Sequence, residues 1–348
     1  MIGFNGVVPV VSSLLFLACA GNRPADQAQF GINLVARKLK NQLKEVAESV
    51  VSVQTRVKYN VQKFYYTLDN GQFIPDRESP VGYKLEPGKG NSGVMLEEDQ
   101  KTLSGGALVI RHDFASGKYT LLTSSHLVAP QDTTDLYYLD ENGAQTDALF
   151  ARYIVTDVSI SVRVSTSRNV EADLICRDDG IDLAIIEVQT QRRPGPDFRR
   201  RVGYNMDLNW GDWVFIFGYP QGVKQLTGGW VSRGPYRSTL AVDAVVRFGY
   251  SGGAVFAVDE DIQELVFVGL IKSVPRSTFD YVGPDVRLPI GYPLGPDDID
   301  KLVVKSEMMV DYGTAYFVDI KTIKSFIKSS RSAMAKSGIV LHPKFYGK

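Results

Sequence analysis

Residues 247–256, RFGYSGGAVF, place Ser251 among three glycines and directly before an apolar stretch. A serine in this setting marks either a tight turn or a nucleophile that a substrate must reach. The chain contains 32 glycines in 348 residues, so a string of this kind can also arise by chance. The interpretation therefore depends on whether other residues supply the groups that a nucleophilic serine needs.

A nucleophilic serine needs a general base, because its hydroxyl is unreactive at its own pKa. The chain has three histidines. His342 precedes a proline near the C terminus, where nothing positions it, and His112 lies in a hairpin-like turn, where we expect an exposed ring. His126 follows the apolar stretch YTLLT (119–123), and a rigid strand there could position an imidazole. His126 is therefore the candidate base, and a structural histidine is the alternative.

The candidate orienting carboxylate is Asp182, at the start of DLAIIEV (182–188). A carboxylate that leads into a buried strand is costly to bury unless it is paired. Hydrogen-bonded to the imidazole, it would fix the tautomer and stabilise the imidazolium formed during catalysis. Asp178 and Asp179 are interpreted as turn residues.

The glycines around Ser251 gain a function in this arrangement. Gly249 and Gly252 allow a tight backbone turn in which the amides of Gly249 and Ser251 are directed at one point. Two such donors form an oxyanion hole. A structural turn would explain the glycines but not the accompanying His126 and Asp182.

Composition indicates a β-rich protein without nucleic-acid binding. Short apolar runs with turn residues between them favour antiparallel barrels or sandwiches. Lysine plus arginine equals aspartate plus glutamate at 39 each, which gives no basic excess for phosphate contacts. Cys19 and Cys176 are the only cysteines, so a disulfide framework and a cysteine-based metal site are excluded.

The N-terminal residues 7–20, VVPVVSSLLFLACA, are apolar and uncharged. They predict either a signal peptide cleaved after Ala18-Cys19-Ala20 or a lipoprotein signal that acylates Cys19. A buried N-terminal helix or a misplaced start is the alternative. Either signal implies export to the periplasm or envelope, with membrane attachment through the N terminus in the lipoprotein case.

Periodicity and composition divide the chain further. An amphipathic helix is predicted over 31–50, from Ile32, Val35, Leu39, Leu43, Val46 and Val50 on one face. The polar, glycine- and proline-rich residues 57–103 are predicted to be a long loop, and 189–201 a boundary between two lobes. A short helix follows Asp319, and the lysine-rich tail is interpreted as free or as contacting an anionic membrane surface. The predicted organisation is a signal (1–20), an N-terminal helical segment (21–43), a domain (44–329) with lobes at about 44–190 and 202–329, and a basic tail (330–348).

The order His126, Asp182, Ser251 and the residues around them resemble the trypsin-like serine proteases of the HtrA/Deg type. The resemblance covers about residues 44–329. Its blocks are VAESVVSVQT, YTLLTSSHLV, VEADLICRDDGIDLAIIEV, WGDWVFIFGYPQG, LTGGWVS, VDAVVRFGYSGGAVF, GLIKS and TAYFVDIKTIKSFI.

This resemblance implies an all-β fold of two six-stranded Greek-key β barrels, with an N-terminal amphipathic helix and a short C-terminal helix. It implies endopeptide hydrolysis through an acyl-enzyme on protein or peptide substrates, without metal or cofactor, and it suggests a homotrimer. In the specificity pocket, Val245 would lie at the base, and Leu270, Ile271 and Lys272 along one wall. Such a pocket would favour small or medium aliphatic side chains.

Three departures from the family leave a second interpretation open. Tyr250 stands where relatives usually carry Asn or Asp, about forty residues (275–313) are inserted before the last strand, and we recognise no PDZ domain after residue 329. The insertion would be either a lid or a surface elaboration. The alternative function is a protease-fold binding or scaffold protein with little turnover. An esterase is disfavoured, because GYSGG is not the G-x-S-x-G elbow.

Overall fold

The computed structural model describes residues 33–140, 144–203, 208–235, 239–259, 261–284, 295–296 and 302–346. The predicted signal over 1–20 and the start of the N-terminal helical segment lie outside the described residues. Among the described residues, those from Leu39 onward belong to one compact unit and residues 33–38 to another. No helix among the described residues is long and apolar enough to cross a membrane.

The described residues form four α-helices and seventeen strands. The helices are α1 (Asn33–Ser49), α2 (Ser125–Val128), α3 (Ile320–Ser329) and α4 (Arg331–Lys336). The strands are β1 (Val50–Phe64), β2 (Leu68–Asp69), β3 (Gln72–Phe73), β4 (Val94–Asp113), β5 (Lys118–Thr123), β6 (Thr133–Leu139), β7 (Gln145–Ser165), β8 (Arg168–Asp178), β9 (Leu183–Gln189), β10 (Trp213–Gly218), β11 (Gln225–Arg233), β12 (Thr239–Asp243), β13 (Ala254–Asp259), β14 (Glu264–Ser273), β15 (Arg276–Pro284), β16 (Leu302–Val310) and β17 (Thr314–Asp319).

Helix α1 confirms the predicted N-terminal amphipathic helix. Leu39, Leu43 and Val46, three or four residues apart, pack into the apolar core, because that spacing places them on one helical face. Ile32 lies outside the described residues, and the side chain of Val35 is not described. The helix runs directly into β1 at Val50.

The first barrel is a closed antiparallel sheet of six strands in the order β1-β4-β5-β9-β8-β7, closed by pairing of β7 with β1. Strand β6 extends the sheet by pairing with β7. Alternate residues of each strand point inward, and buried Val53, Val109, Leu121 and Ile186 belong to one core cluster. Closure satisfies the backbone groups that a sheet edge would leave unpaired.

The second barrel is a closed sheet in the order β10-β11-β12-β17-β14-β13. All its strand pairs are antiparallel. Val214, Val231, Val255 and Phe317 are buried in one core cluster. Two closed six-stranded barrels with few helices confirm the predicted fold class.

The prediction of a long loop over 57–103 is wrong in part. Strands β1 and β4 continue beyond the barrel and pair without interruption from Val50↔Leu108 to Phe64↔Val94. Val57 and Val61 are buried whereas Lys58 is exposed, and this two-residue period is that of a half-buried strand. Only the residues between Phe64 and Val94 form a loop, which contains the short β2–β3 hairpin.

The insertion at 275–313 contains the antiparallel ribbon of β15 and β16. Its pairing runs from Arg276↔Val310 to Pro284↔Leu302. Residues 285–294 and 297–301, between the two strands, lie outside the described residues. The choice between a lid and a surface elaboration stays a prediction.

The C-terminal residues are not free, contrary to the first interpretation of the basic tail. After α3, the chain continues through α4, and Met334, Ile339, Leu341 and Phe345 are buried. These side chains share the core cluster that also contains Val46 of α1. The segment packs on the domain although it contains lysines, because burying each large apolar side chain stabilises the fold by about 1.5–3 kcal/mol.

Candidate active site

His126 lies on α2, a single helical turn that follows β5. Leu127 and Val128 point into the core, and this orientation leaves the His126 side chain 47% exposed on the opposite face. Ser124, which precedes the turn, is fully buried, and its hydroxyl donates to the carbonyl of Ile271 at 3.0 Å. The imidazole is thus presented to solvent from a turn that is fixed to the second barrel.

Asp182 contacts His126 through both carboxylate oxygens. His126 Nδ1 lies 2.8 Å from Oδ2 and 3.0 Å from Oδ1, and the backbone N–H of His126 donates to Oδ1 at 2.9 Å. Because an ionised carboxylate only accepts hydrogen bonds, Nδ1 carries the proton, and Nε2 of the neutral ring keeps a free lone pair. Asp182 is 6% exposed and lies immediately before β9.

The neighbouring residues Asp178 and Asp179 accept hydrogen bonds from different parts of the molecule. Asp178 accepts from the backbone N–H groups of Gly180 and Ile181, as expected of a turn residue. Asp179 instead accepts from the hydroxyl of Ser125, directly before His126, and it lines the cleft described below. The sequence analysis missed this contact, because the side-chain direction of adjacent turn residues is not encoded in their spacing.

Ser251 lies in the tight turn between β12 and β13, and the first barrel supports this turn. Its carbonyl accepts from the backbone N–H of Gly106 at 2.8 Å. Gly252 has a φ of 70°, and a Cβ there would lie 2.2 Å from the Gly106 carbonyl oxygen. Only glycine fits both the conformation and the space.

Gly249 also has a positive φ, 103°, and its carbonyl accepts from the backbone N–H of Tyr219 at 2.8 Å. The backbone N–H groups of Gly249 and Ser251 have no hydrogen-bond acceptor within the described part of the chain. Both N–H groups are therefore available as donors, and their convergence on one oxyanion stays a prediction.

One cleft of about 630 Å³ is lined by His126, Asp182, Gly249 and Ser251. The Ser251 hydroxyl and the His126 ring make no hydrogen bond with each other in this structure. Such contacts are commonly loose without substrate and tighten when the substrate binds, since a serine hydroxyl rotates freely.

The four residues predicted for the specificity pocket differ in their position relative to the cleft. Ile271 and Lys272 line the cleft, but Leu270 is fully buried in the core and Val245 is 58% exposed, and neither lines the cleft. The neighbouring Val246, which belongs to the core cluster of the second barrel, is among the residues that line the cleft. Phe248 and Val274 add apolar surface, and Arg247 adds a charge, to the same cleft.

His112 and His342 do not line the cleft, and each makes contacts that the sequence analysis did not predict. His112 is not fully exposed: its ring stacks on Tyr119 at a centroid distance of 4.0 Å, and burial lowers its pKa. His342 caps a short helical turn, where its Nδ1 accepts from the backbone N–H of Lys344 at 3.2 Å. Among the residues that the structure describes, no three His, Cys, Asp or Glu side chains cluster as a metal site would require.

Comparison with known proteins finds a family and relatives that this chain resembles. The trypsin-like peptidase domain family matches residues 105–266, a range that includes His126, Asp182 and Ser251. A probable periplasmic serine endoprotease, DegP-like, from Halomonas elongata is 26% identical over 139 residues, which cover 38% of this chain and 27% of the relative. A protein of the same description from Rhizobium meliloti is 28% identical over 165 residues, which cover 43% and 30%.

The chain thus spans less than a third of the length of these curated relatives. A solved HtrA-type protease, AlgW with a decapeptide, aligns at a TM-score of 0.44 and 15% identity, over 85% of this chain and 67% of that chain. The family and relatives together confirm the resemblance to HtrA/Deg-type trypsin-like proteases.

Proposed function

Because residues 105–266 are a trypsin-like peptidase domain, we propose that this protein is a serine endopeptidase that acts through an acyl-enzyme. The observation that carries the proposal is the double contact between His126 and Asp182 in a cleft that Ser251 also lines. In this proposal His126 is the general base, Asp182 its orienting group and Ser251 the nucleophile.

The first half of the reaction forms an ester on Ser251. The Ser251 oxygen attacks the peptide carbonyl carbon while its proton passes to Nε2 of His126. The carbon–nitrogen bond then breaks, and the imidazolium returns the proton to the leaving amine. Asp182 stabilises the imidazolium, because a buried carboxylate lies within 3.0 Å of Nδ1.

The second half releases the acid. Water attacks the ester carbonyl carbon, and His126 takes its proton. The bond to the Ser251 oxygen breaks, and that oxygen regains the proton. In both halves the negatively charged oxygen of the tetrahedral intermediate accepts hydrogen bonds from the amides of Gly249 and Ser251. In comparable sites, removing one such donor raises the activation free energy by about 2.7–4 kcal/mol.

The cleft favours aliphatic side chains next to the cut bond. Val246, Ile271 and Val274 give it apolar surface, and its two cations, Arg247 and Lys272, are matched by two carboxylates, Asp179 and Asp182. A cleavage profile dominated by basic residues would contradict this specificity.

The cellular role follows from the relatives by analogy. The curated relatives are named periplasmic, which supports processing or quality control of proteins in the envelope. The apolar residues 7–20 support export, and mass spectrometry of the mature N terminus tests it. Lipidation at Cys19, membrane attachment and a homotrimer stay predictions.

The experiment is hydrolysis of unfolded casein by the protein beside three variants. Ser251→Ala and His126→Ala should be inactive, whereas His112→Ala, the matched histidine outside the cleft, should retain activity. A fluorophosphonate should label Ser251 in the active forms only. If the unmodified protein neither cleaves casein nor is labelled, the protein is a protease-fold binding protein, and Ser251→Gly should then bind partners equally well.

A further inference from the structure

Tyr219 contacts two parts of the molecule that the catalytic proposal leaves unconnected. Its hydroxyl donates to the carbonyl of Val50 at 2.9 Å, and its backbone N–H donates to the carbonyl of Gly249 at 2.8 Å. The residue is 8% exposed, so water does not compete for either bond. Val50 begins β1, directly after α1, and Gly249 belongs to residues 248–251, called here the oxyanion loop.

The oxyanion loop also packs tightly on Tyr219. A Cβ at Gly249 would lie 2.5 Å from the Tyr219 carbonyl oxygen and 2.7 Å from Pro220 Cα. The backbone of Gly249 therefore lies in close contact with Tyr219 and Pro220, and the hydrogen bond from Tyr219 to the Gly249 carbonyl joins the two segments. The position of the loop therefore follows the position of Tyr219.

Lys224 also contacts both the end of α1 and Tyr219. Lys224 donates to the carbonyl of Ala47 in the last turn of α1, and its ammonium lies 5.6 Å from the centroid of the Tyr219 ring. The last carbonyls of a helix lack partners within the helix and carry partial negative charge, so an ammonium stabilises them. The end of α1, Lys224 and Tyr219 thus form one contiguous cluster.

We propose that Tyr219 is a positioning residue that couples the junction of α1 and β1 to the oxyanion loop. It touches no substrate: it acts through Gly249, whose amide keeps its direction only while the tyrosine hydroxyl is anchored on Val50. The inference rests on the proposed function, because it assigns a role to that same loop.

The test compares Tyr219→Phe with Tyr66→Phe. Both substitutions keep the ring and remove one buried bond from a tyrosine hydroxyl to a carbonyl, since Tyr66, in the loop after β1, donates to Leu149 of β7 at 2.8 Å. We expect Tyr219→Phe to lower kcat about fivefold, the factor of one net hydrogen bond, with KM unchanged. Binding of a peptide aldehyde, which mimics the tetrahedral intermediate, should weaken by the same factor. Tyr66→Phe should change neither value, although both variants should melt at similarly lowered temperatures.

A second readout does not depend on activity. Amide hydrogen exchange of residues 245–253, followed by mass spectrometry, should be faster in Tyr219→Phe than in Tyr66→Phe. Equal exchange and equal kcat in the two variants would overturn the coupling. If the unmodified protein cleaves no peptide, the proposed function fails, and the exchange comparison still decides whether Tyr219 holds the loop.

Discussion

The ring of Tyr250 lies directly on the backbone of Gly218. A Cβ at residue 218 would be 2.4 Å from Tyr250 Cδ1 and 2.8 Å from Tyr250 Cα, so only glycine fits beneath the ring. Tyr250 is 3% exposed, it belongs to the core of the second barrel, and burial raises its pKa. The bulky residue before Ser251 therefore points away from the cleft and anchors the turn from below.

Substitution of Gly218 should accordingly disturb both folding and the nucleophile turn. Gly218→Ala would force the Tyr250 ring to move, and overpacking of this kind costs about 1–3 kcal/mol. We expect lower stability in urea denaturation and slower labelling of Ser251 by a fluorophosphonate. Gly88→Ala, where the added methyl meets nothing within 4 Å, is the control. Unchanged labelling in Gly218→Ala would show that the turn does not depend on the ring.

Asp182→Asn should leave the fold intact and remove most of the activity. The amide can donate to Nδ1, which would place the proton on Nε2 and block that atom as a base. In comparable triads this substitution lowers kcat about 10⁴-fold. Hydrolysis of a peptide substrate and circular dichroism measure the two effects. Asp178→Asn, in the adjacent turn, should reduce kcat less than twofold, and equal losses in both variants would contradict the assigned role.

Lys344 should make stability depend on pH. Its ammonium donates to the carbonyls of Phe198 and Arg200, and burial lowers its pKa from 10.5 to about 8. Between these two values the unfolded chain binds more protons than the folded protein, so the free energy of unfolding attributable to Lys344 rises with pH. Below about pH 8 both states are protonated, and this contribution is constant.

The measurement is urea denaturation between pH 7.5 and 9.5, below the range in which tyrosines titrate. The difference in unfolding free energy between the unmodified protein and Lys344→Met should increase across this interval. The exposed Lys336→Met should show no such trend. A constant difference for Lys344→Met would mean that its folded and unfolded pKa values coincide.

The C-terminal residues should contribute to global stability. Phe345 is fully buried, and replacing a buried phenylalanine with alanine typically costs 3–5 kcal/mol. We expect Phe345→Ala to lower the denaturation midpoint strongly. Val340→Ala, at a position that is 74% exposed, should be nearly neutral. Similar midpoints for the two variants would show that the segment detaches without cost.

The barrels could be predicted from the sequence because each short apolar strand is bounded by its own turn residues. The structure also brings His126 and Asp182 together, as expected from a histidine after one buried strand and a carboxylate before another; their catalytic roles stay predictions. The extension of β1 was missed although Val57, Tyr59 and Val61 alternate with polar residues. The glycines and prolines that follow favoured a loop. The pairing of β1 with β4 joins residues that are far apart in the sequence, so the local sequence does not reveal it.

Other features depend on contacts that the sequence does not encode. Family spacing alone does not fix the direction of a side chain in the irregular segment before Ser251: Val245 is 58% exposed, whereas the neighbouring Val246 lines the cleft. The burial of the C-terminal segment was missed because its lysines suggested that the segment is exposed to solvent. Lys344 is accommodated by the carbonyls of Phe198 and Arg200, which are more than 140 positions earlier in the chain.

The shared core of α1 and the C-terminal segment has a consequence for the order of events during synthesis. Val46 of α1 and Phe345 of the C-terminal segment pack into the same cluster. A chain still attached to the ribosome therefore lacks part of its core until residue 345 has left the exit tunnel. A nascent chain can form local strands and hairpins earlier, but the complete domain, with both barrels around the cleft, assembles only after residue 345 has emerged.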